Sequence, residues 1–270
     1  MIDEKKLLLE HLGELRMRII FCLVAVVIGM IVSYLCYDIL ILDIIRGPLD
    51  ALSGRKDNPF ALGSPFLELV KLFRVKLQNP EFDLHYIGPA EGFTVKLRVS
   101  FFSGLILVLP FILYQIWKFI SVGLEKKERR IFFIYFPISF LLFAAGVLFA
   151  YFIMSPAGLY FLISVSSGLK PMFTISKYTS IIILLISVFG LIFELPLVIL
   201  FLTRIGVVTP KFLAKKRKYA ILLMFILSAI LTPPDVFTQF MLAIPVIILY
   251  EISIWISKIA SARRKDRNEL

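Results

Sequence analysis

Residues 131–154 have the sequence IFFIYFPISFLLFAAGVLFAYFIM, a run without a single charged side chain. A helix needs about 20 apolar residues to cross the roughly 30 Å hydrocarbon core of a bilayer, so this run predicts a membrane-spanning helix. The whole chain has the same character, because 59% of its 270 residues are hydrophobic and 26 are phenylalanine. A soluble domain averages about 45–50% apolar residues. The sequence therefore predicts an all-α integral membrane protein.

Five further apolar runs, each with at most one charged side chain, complete the predicted set of six spans. They are residues 19–37, 99–120, 179–203, 219–231 and 236–257. The last two are short, and the segment Thr232-Pro233-Pro234-Asp235 between them contains two helix-breaking prolines. We expect these two runs to form a tight hairpin that thins the bilayer locally. A re-entrant loop is the alternative for this segment.

The distribution of lysine and arginine predicts the orientation of the spans, because these residues mark cytoplasmic loops. Four basic segments alternate with sparse ones. The basic segments are residues 1–18, 121–130, 204–218 and 258–270, and the sparse ones are 155–178 and 232–236. Six crossings with both termini in the cytoplasm satisfy this pattern and leave residues 38–98 as a long extracytoplasmic loop. We therefore predict one polytopic domain over residues 1–270 in the cell membrane.

The net charge of +11 is mostly a consequence of this topology. Basic segments beside membrane spans attract anionic lipid headgroups. We expect such lipids, and not nucleic acid, to be partners of the chain.

Prolines and helical spacing predict features within and beside the spans. A proline inside a helix removes a backbone hydrogen bond and kinks the helix, and four spans contain one. These residues are Pro110, Pro137, Pro196 and Pro245. The spacing of Leu8, Leu12 and Leu15 predicts an amphipathic helix on the cytoplasmic membrane surface before the first span. The same spacing predicts a second amphipathic helix in the outer loop, around residues 66–77.

Glu194 is the only charged residue in the fourth span, and it lies roughly 15 Å along the helix from Arg204. A carboxylate at this depth costs on the order of 2.5–3.5 kcal/mol, and intramembrane acids usually face a cavity or a polar partner. Pro196 leaves a nearby carbonyl without its helical donor, and Gln239 is the predicted hydrogen-bond partner within the membrane. Two interpretations stay open: a polar functional site, or a protonated glutamate that bonds two helices for structure alone.

The chain lacks the residue groups of an enzyme or a metal site. Cys22 and Cys36 lie roughly 21 Å apart on one helix and cannot pair. His11 and His85 fall outside the spans, and no cluster of metal-ligating residues surrounds either. No Gly-x-x-x-x-Gly-Lys phosphate-binding motif occurs. We predict no catalytic activity, no metal and no cofactor.

Residues 11–18, HLGELRMR, resemble the HLxELRxR signature of the TatC family, the multispanning components of twin-arginine protein translocases. Further stretches resemble the family in the same order along the chain. They are residues 89–93 (PAEGF), 110–119 (PFILYQIWKF), 125–130 (EKKERR), 193–196 (FELP) and 231–235 (LTPPD). The resemblance covers about residues 8–257, and residues 53–85 look like an insertion relative to the family pattern.

This resemblance implies that the chain binds the twin-arginine signal peptides of folded proteins. It also implies TatA- and TatB-type single-span partners and transport driven by the proton-motive force. Carboxylates bind guanidinium groups in bidentate geometry. Glu14 and Glu128 match the family's carboxylates and are expected to receive the two arginines, beside Arg16 and His11 of the first motif.

The resemblance also implies a second site, within the membrane. Glu194 matches the glutamate that faces a polar group on a partner's transmembrane helix in the family, and we assign Gln239 to the same site. Structural roles are expected for five other motif residues. They are Pro110, Pro196, Pro233, Pro234 and Asp235. We also expect copies of the chain to self-associate.

Two other classes of membrane protein compete with this interpretation. A secondary transporter or channel subunit is the alternative that we keep; it predicts internal repeats and paired broken helices, which the sequence does not show. An intramembrane hydrolase needs a nucleophile with a base, or a set of metal ligands, inside the membrane. The spans contain only Glu194 and Glu251 as acids and no histidine, so the hydrolase is disfavoured.

Overall fold

The computed structural model describes residues 2–38, 42–53, 84–122, 130–165, 172–231 and 236–268, and almost all of them are helical. The helices are α1 (Ile2–Leu35), α2 (Leu42–Ser53), α3 (Pro89–Val122), α4 (Arg130–Phe149), α5 (Ser155–Val165), α6 (Ile175–Phe193), α7 (Leu195–Ile205), α8 (Pro210–Leu231) and α9 (Val236–Asn268). A π-helical turn, Ala150–Met154, joins α4 to α5. Two short strands, β1 (Leu84–His85) and β2 (Phe173–Thr174), pair in parallel.

Within the described residues, five helical segments are long and apolar enough to cross a membrane. They are Gly13–Leu35, Pro89–Ile120, Ile134–Ser164, Ile175–Ile205 and Thr238–Ala262. These segments overlap five of the six predicted runs, so the prediction of an all-helical protein with several membrane spans is confirmed. The sixth run, residues 219–231, forms the second half of α8, whose first half is basic. Its crossing of the membrane stays a prediction.

Several helices extend beyond the predicted boundaries. The residues of the predicted amphipathic helix before the first span are helical and form the first part of α1, which continues without a break from Ile2 to Leu35. Their position on the membrane surface stays a prediction. No proline interrupts α1, and backbone hydrogen bonding propagates cheaply along a helix that has already formed. Helix α3 begins at Pro89, where proline suits the first helical position, and α9 continues past the predicted end of the last span to Asn268.

In the segment predicted as the long extracytoplasmic loop, the structure contains a helix that the sequence did not predict, α2. The predicted amphipathic helix around residues 66–77 lies outside the described residues.

The chain divides into two compact units. The first comprises residues 1–47, 83–141 and 172–183, and the second comprises residues 48–82, 142–171 and 184–270. Each unit combines segments that are distant in sequence. The prediction of a single domain over residues 1–270 stays a prediction.

The first unit is built on the packing of α1 against α3. The two helices approach each other at Gly29 and Gly104: a Cβ atom added to Gly29 would lie 2.7 Å from the carbonyl oxygen of Gly104. Small residues permit such close backbone contact between membrane helices. The buried hydroxyl of Tyr178, near the start of α6, donates a hydrogen bond of 2.7 Å to the carbonyl of Ile45. This bond fixes the start of α6 to α2.

In the second unit, α9 packs along both α7 and α8. The hydroxyls of Thr203 and Ser257 lie 2.8 Å apart and are buried. The hydroxyl of Tyr250 donates to the carbonyl of Leu213 at 3.0 Å. Buried polar groups are stable in a membrane protein only when such partners satisfy them, so these contacts fix how the helices face one another.

Proline coincides with one visible interruption. Helix α6 ends at Phe193 and α7 begins at Leu195, with the buried Pro196 in its first turn. Pro110, Pro137 and Pro245 lie inside the continuous helices α3, α4 and α9. The kinks expected at these three positions stay predictions. Pro233, Pro234 and Asp235 lie outside the described residues.

Candidate functional site

Glu14 and Arg18 form an ion pair across one turn of α1. The Nε of Arg18 donates to Oε1 of Glu14 at 3.2 Å, and its Nη2 contacts the same oxygen. The spacing of four residues places both side chains on one face of the helix. One third of the Glu14 side chain is exposed to solvent, so its carboxylate can be reached from outside the protein.

Gln115 of α3 completes this cluster. Its side-chain oxygen accepts a hydrogen bond of 3.0 Å from Nη1 of Arg18. Arg18 is only 9% exposed, which is rare for an arginine unless its charge is paired. Glu14 supplies the negative charge that pairs with the guanidinium, and Gln115 accepts the hydrogen bond from Nη1. We call these three residues, Glu14, Arg18 and Gln115, the Glu14 cluster.

The other residues predicted to bind the peptide are Arg16, His11 and Glu128, and the structure describes them to different extents. Arg16 lies in α1 and is exposed. His11 also lies in α1, but its side chain is outside the described part of the structure, as is the whole of Glu128. Among the described side chains, Glu14 pairs with Arg18 and not with Arg16. The roles of His11 and Glu128 beside Glu14 stay predictions.

Arg18 and Gln115 belong to this site but were not predicted from the sequence as site residues. Arg18 belongs to the quoted motif HLGELRMR, and Gln115 belongs to PFILYQIWKF. A lone amide inside an apolar run was a usable signal, because such a group needs a partner when it is buried. Its partner on α1 could not be identified without knowing how α1 and α3 face each other.

Glu194 lies between α6 and α7, at the N-cap position of α7, and its side chain is half-buried. Its carbonyl accepts hydrogen bonds from the N–H groups of Leu197 at 3.1 Å and Val198 at 3.0 Å. A negative charge near the amino end of a helix is stabilised by the positive end of the helix dipole. Glu194 also follows the carboxyl end of α6, whose dipole has the opposite effect, so the two helix ends together do not decide the cost of the carboxylate.

Gln239 lies in α9, near its start. Its side-chain nitrogen donates a hydrogen bond of 3.0 Å to the carbonyl oxygen of Phe225 in α8. The bond joins the two helices of the predicted hairpin. The hydrogen bond expected between Gln239 and Glu194 stays a prediction.

A second polar cluster ties the far end of α1 to the start of α3. The Nζ of Lys96 lies 2.7 Å from Oδ2 of Asp38, and it sits over the rings of Tyr34 and Tyr37 at 4.9 and 5.1 Å from their centres. Ammonium groups are attracted to aromatic faces at this distance. We interpret this cluster as a structural clamp.

The carboxylate of Glu91, in the PAEGF motif, caps two chain segments at the same end of the unit. It accepts the N–H of Ile87 at 2.7 Å and the N–H of Ser176 at 3.2 Å. Acceptors at helix starts satisfy backbone donors that have no partner in the helix. Glu91 therefore holds the start of α3 to the start of α6, beside the β1–β2 pair.

Comparisons with known proteins give a consistent result. The family model for the Sec-independent protein translocase protein TatC matches residues 10–245. The TatC protein of Desulforapulum autotrophicum is 37% identical over 268 residues, which cover 99% of this chain and 89% of that protein. The TatC protein of Carboxydothermus hydrogenoformans is 37% identical over 260 residues, which cover 96% and 95%.

The fold has a solved counterpart. A crystal structure of the twin arginine translocase receptor TatC matches with a TM-score of 0.76 and 34% sequence identity, over 93% of this chain and 99% of that one. The multi-pass helical architecture, the ordered motifs and the matches along nearly the whole chain agree. The protein is therefore a member of the TatC family, the multi-pass membrane component of the Sec-independent protein translocase.

Proposed function

We propose that this chain is the receptor of the translocase for twin-arginine signal peptides, and that Glu14 and Glu128 bind the two arginines. The observation that carries the proposal is the placement of Glu14, a partly exposed carboxylate at the start of the first span that already binds a guanidinium group, that of Arg18. Its surroundings therefore suit the chemistry of an arginine side chain, since charge-assisted bonds from a guanidinium fork are the strongest that a carboxylate accepts.

The proposed topology places this site on the cytoplasmic face of the cell membrane, where signal peptides arrive. Six spans with both termini in the cytoplasm would put residues 1–18 and the loop at 121–130 on the same side. The alternation of basic and sparse segments supports this arrangement. Glu128, in that loop, would then lie on the same face as Glu14.

We further propose that Glu194 and Gln239 contribute to a surface for single-span partners of the TatA and TatB type. The half-burial of Glu194 at the amino end of α7 supports this proposal. A partner helix that carries one polar group could bond there instead of leaving that group in lipid. Transport would be driven by the proton-motive force, copies of the chain would self-associate, and anionic lipids would bind the basic segments.

Binding of a synthetic twin-arginine peptide to the purified protein in nanodiscs tests the receptor proposal. Glu14→Ala and Glu128→Ala should each weaken binding about 10- to 100-fold, because hydrogen bonds to charged groups are worth about 1.5–3 kcal/mol. The matched control is Glu251→Ala. Glu251 is also a glutamate paired with an arginine, since its Oε1 lies 2.6 Å from Nε of Arg217.

The control should bind the peptide as the unsubstituted protein does. If both Glu14→Ala and Glu128→Ala insert normally and bind the peptide with unchanged affinity, the receptor proposal is wrong.

A further inference from the structure

The chain itself supplies a guanidinium group to the carboxylate that is proposed to bind the peptide. Two nitrogens of Arg18 contact the same oxygen of Glu14, Oε1. The signal peptide would bring the same chemical group to the same place. At rest, the charge of Glu14 is therefore already compensated within the protein.

Arg18 is held in this position from two sides. Gln115, on a different helix, accepts from Nη1 at 3.0 Å, while Glu14 accepts from Nε and Nη2. The side chain is 11% exposed. Because the guanidinium fork is planar and rigid, these contacts leave it little freedom, and it loses less conformational entropy than a mobile cation would on binding Glu14.

We propose that Arg18 is a built-in competitor for the peptide arginine at Glu14, and that Gln115 keeps it in place. This inference rests on the proposed function of Glu14. A bound peptide must displace Arg18 from the carboxylate, or bind beside its positive charge. Either event costs free energy, so Arg18 lowers the affinity for signal peptides.

Removal of Arg18 has opposite effects on peptide affinity if Arg18 competes for Glu14 and if it orients Glu14 for the peptide. A residue that merely orients Glu14 would make binding weaker when it is removed. A competitor makes binding tighter when it is removed, and by the same factor for every cation that uses Glu14. The factor depends only on how strongly the competitor occupies the carboxylate.

The test is the affinity of Arg18→Gln protein in nanodiscs for a twin-arginine peptide and for its twin-lysine version. Loss of one charge-assisted contact predicts binding that is on the order of tenfold tighter, by the same factor for both peptides. Lys215→Gln is the matched control. It also removes one positive charge, from an exposed position on α8, and should change affinity by less than about twofold because exposed charges are screened.

A second variant retains the charge of Arg18, in case Arg18→Gln does not fold. Gln115→Met keeps an unbranched side chain but removes the second anchor of Arg18. The expected result is a smaller tightening, of about two- to threefold, since Arg18 loses its acceptor on α3 but keeps the ion pair with Glu14. Weaker or unchanged binding in Arg18→Gln, or in Gln115→Met where Arg18→Gln does not fold, would overturn the proposal.

A double substitution shows whether the effect acts through Glu14. In a Glu14→Gln background, Arg18→Gln should no longer tighten binding, because the site of competition has been removed. Tightening that persists in this background would contradict competition at Glu14. If Glu14→Ala alone leaves the affinity unchanged, the receptor proposal has failed; if Glu14→Ala weakens binding but Arg18→Gln does not tighten it, only this inference has failed.

Discussion

Gln239 and Phe225 join the two helices on either side of the Pro233-Pro234 segment: the side-chain amide of Gln239 donates to the carbonyl oxygen of Phe225 at 3.0 Å. The rings of Phe225 and Phe240 pack edge to face beside this bond, with centres 5.0 Å apart. A polar and an apolar contact thus act together at the start of α9. Both depend on the same relative position of α8 and α9.

Gln239→Leu is expected to loosen this pair of helices. Interhelical hydrogen bonds in membranes contribute about 0.6 kcal/mol on average and up to about 1.7, so the free energy of unfolding should fall by about that amount. Denaturant unfolding of the protein in detergent measures it. Ile248→Leu, an exposed and volume-conserving change on α9, is the control. A Gln239→Leu protein as stable as the control would mean that the bond is not formed in solution.

Glu194→Ala is expected to impair transport, or assembly with single-span partners, more than signal-peptide binding. The physical reason is that the carboxylate lies in the interruption between α6 and α7, far from Glu14 in sequence, and is not one of the groups proposed to bind the peptide. Transport into inverted vesicles and peptide binding, measured on the same preparation, give the two readouts. Glu194→Gln keeps hydrogen bonding and should retain more transport than Glu194→Ala. An equal loss of transport and peptide binding would indicate a purely structural glutamate.

Gly104→Ala is expected to destabilise the contact between α1 and α3. The added Cβ would meet the backbone of Gly29 at 2.5 Å, and a backbone atom cannot move aside without separating the helices. The matched control is Gly92→Ala in the same helix, where nothing lies within 4 Å of the added Cβ. Replacing glycine by alanine in an open helical position gains about 1 kcal/mol in helix propensity.

The two alanine variants should therefore change stability in opposite directions. Thermal unfolding in detergent compares them. A Gly104→Ala protein that unfolds at or above the temperature of the Gly92→Ala protein would contradict the close packing.

Tyr178→Phe is expected to weaken the attachment of α2 to α6. The change removes the hydrogen bond that the carbonyl oxygen of Ile45 accepts from α6, which costs about 0.5–1.5 kcal/mol. Tyr86→Phe removes the same hydroxyl from a side chain that is 68% exposed, and should cost little. Proteolysis near α2 should be faster in Tyr178→Phe and unchanged in Tyr86→Phe. Equal rates of proteolysis in the two variants would contradict the hydrogen bond between Tyr178 and Ile45.

The sequence predicted the membrane segments well because hydropathy depends on the solvent around each helix. Residues 131–154 and 179–203 must be apolar wherever they lie in the bilayer, so their composition reveals them. It does not reveal which helix each one contacts. The bond from Arg18 to Gln115 joins residues 97 positions apart and depends on the rotation of α1 and α3 about their axes.

Boundaries and short helices were predicted less well, for local reasons. Helix α2 follows the first span closely, and Pro48 lies inside it. Because proline usually ends or interrupts a helix, the sequence around Pro48 did not indicate one. The amphipathic pattern of residues 8–19 was correct as helical spacing, yet it gave no indication that the helix continues into the span. Spacing defines a face of a helix, whereas the helix ends only where hydrogen bonding stops.

The π-helical turn Ala150–Met154 has a geometric consequence for the helices that it joins. Each residue advances an α-helix by about 100°, and a π-turn contains one residue more than an α-turn. Side chains after Met154 therefore point about 100° away from where an uninterrupted α-helix would direct them. Tyr151 and Met154 are buried within the turn. Deleting one residue there would let the backbone return to regular α-helix, but every side chain of α5 would then face a different neighbour.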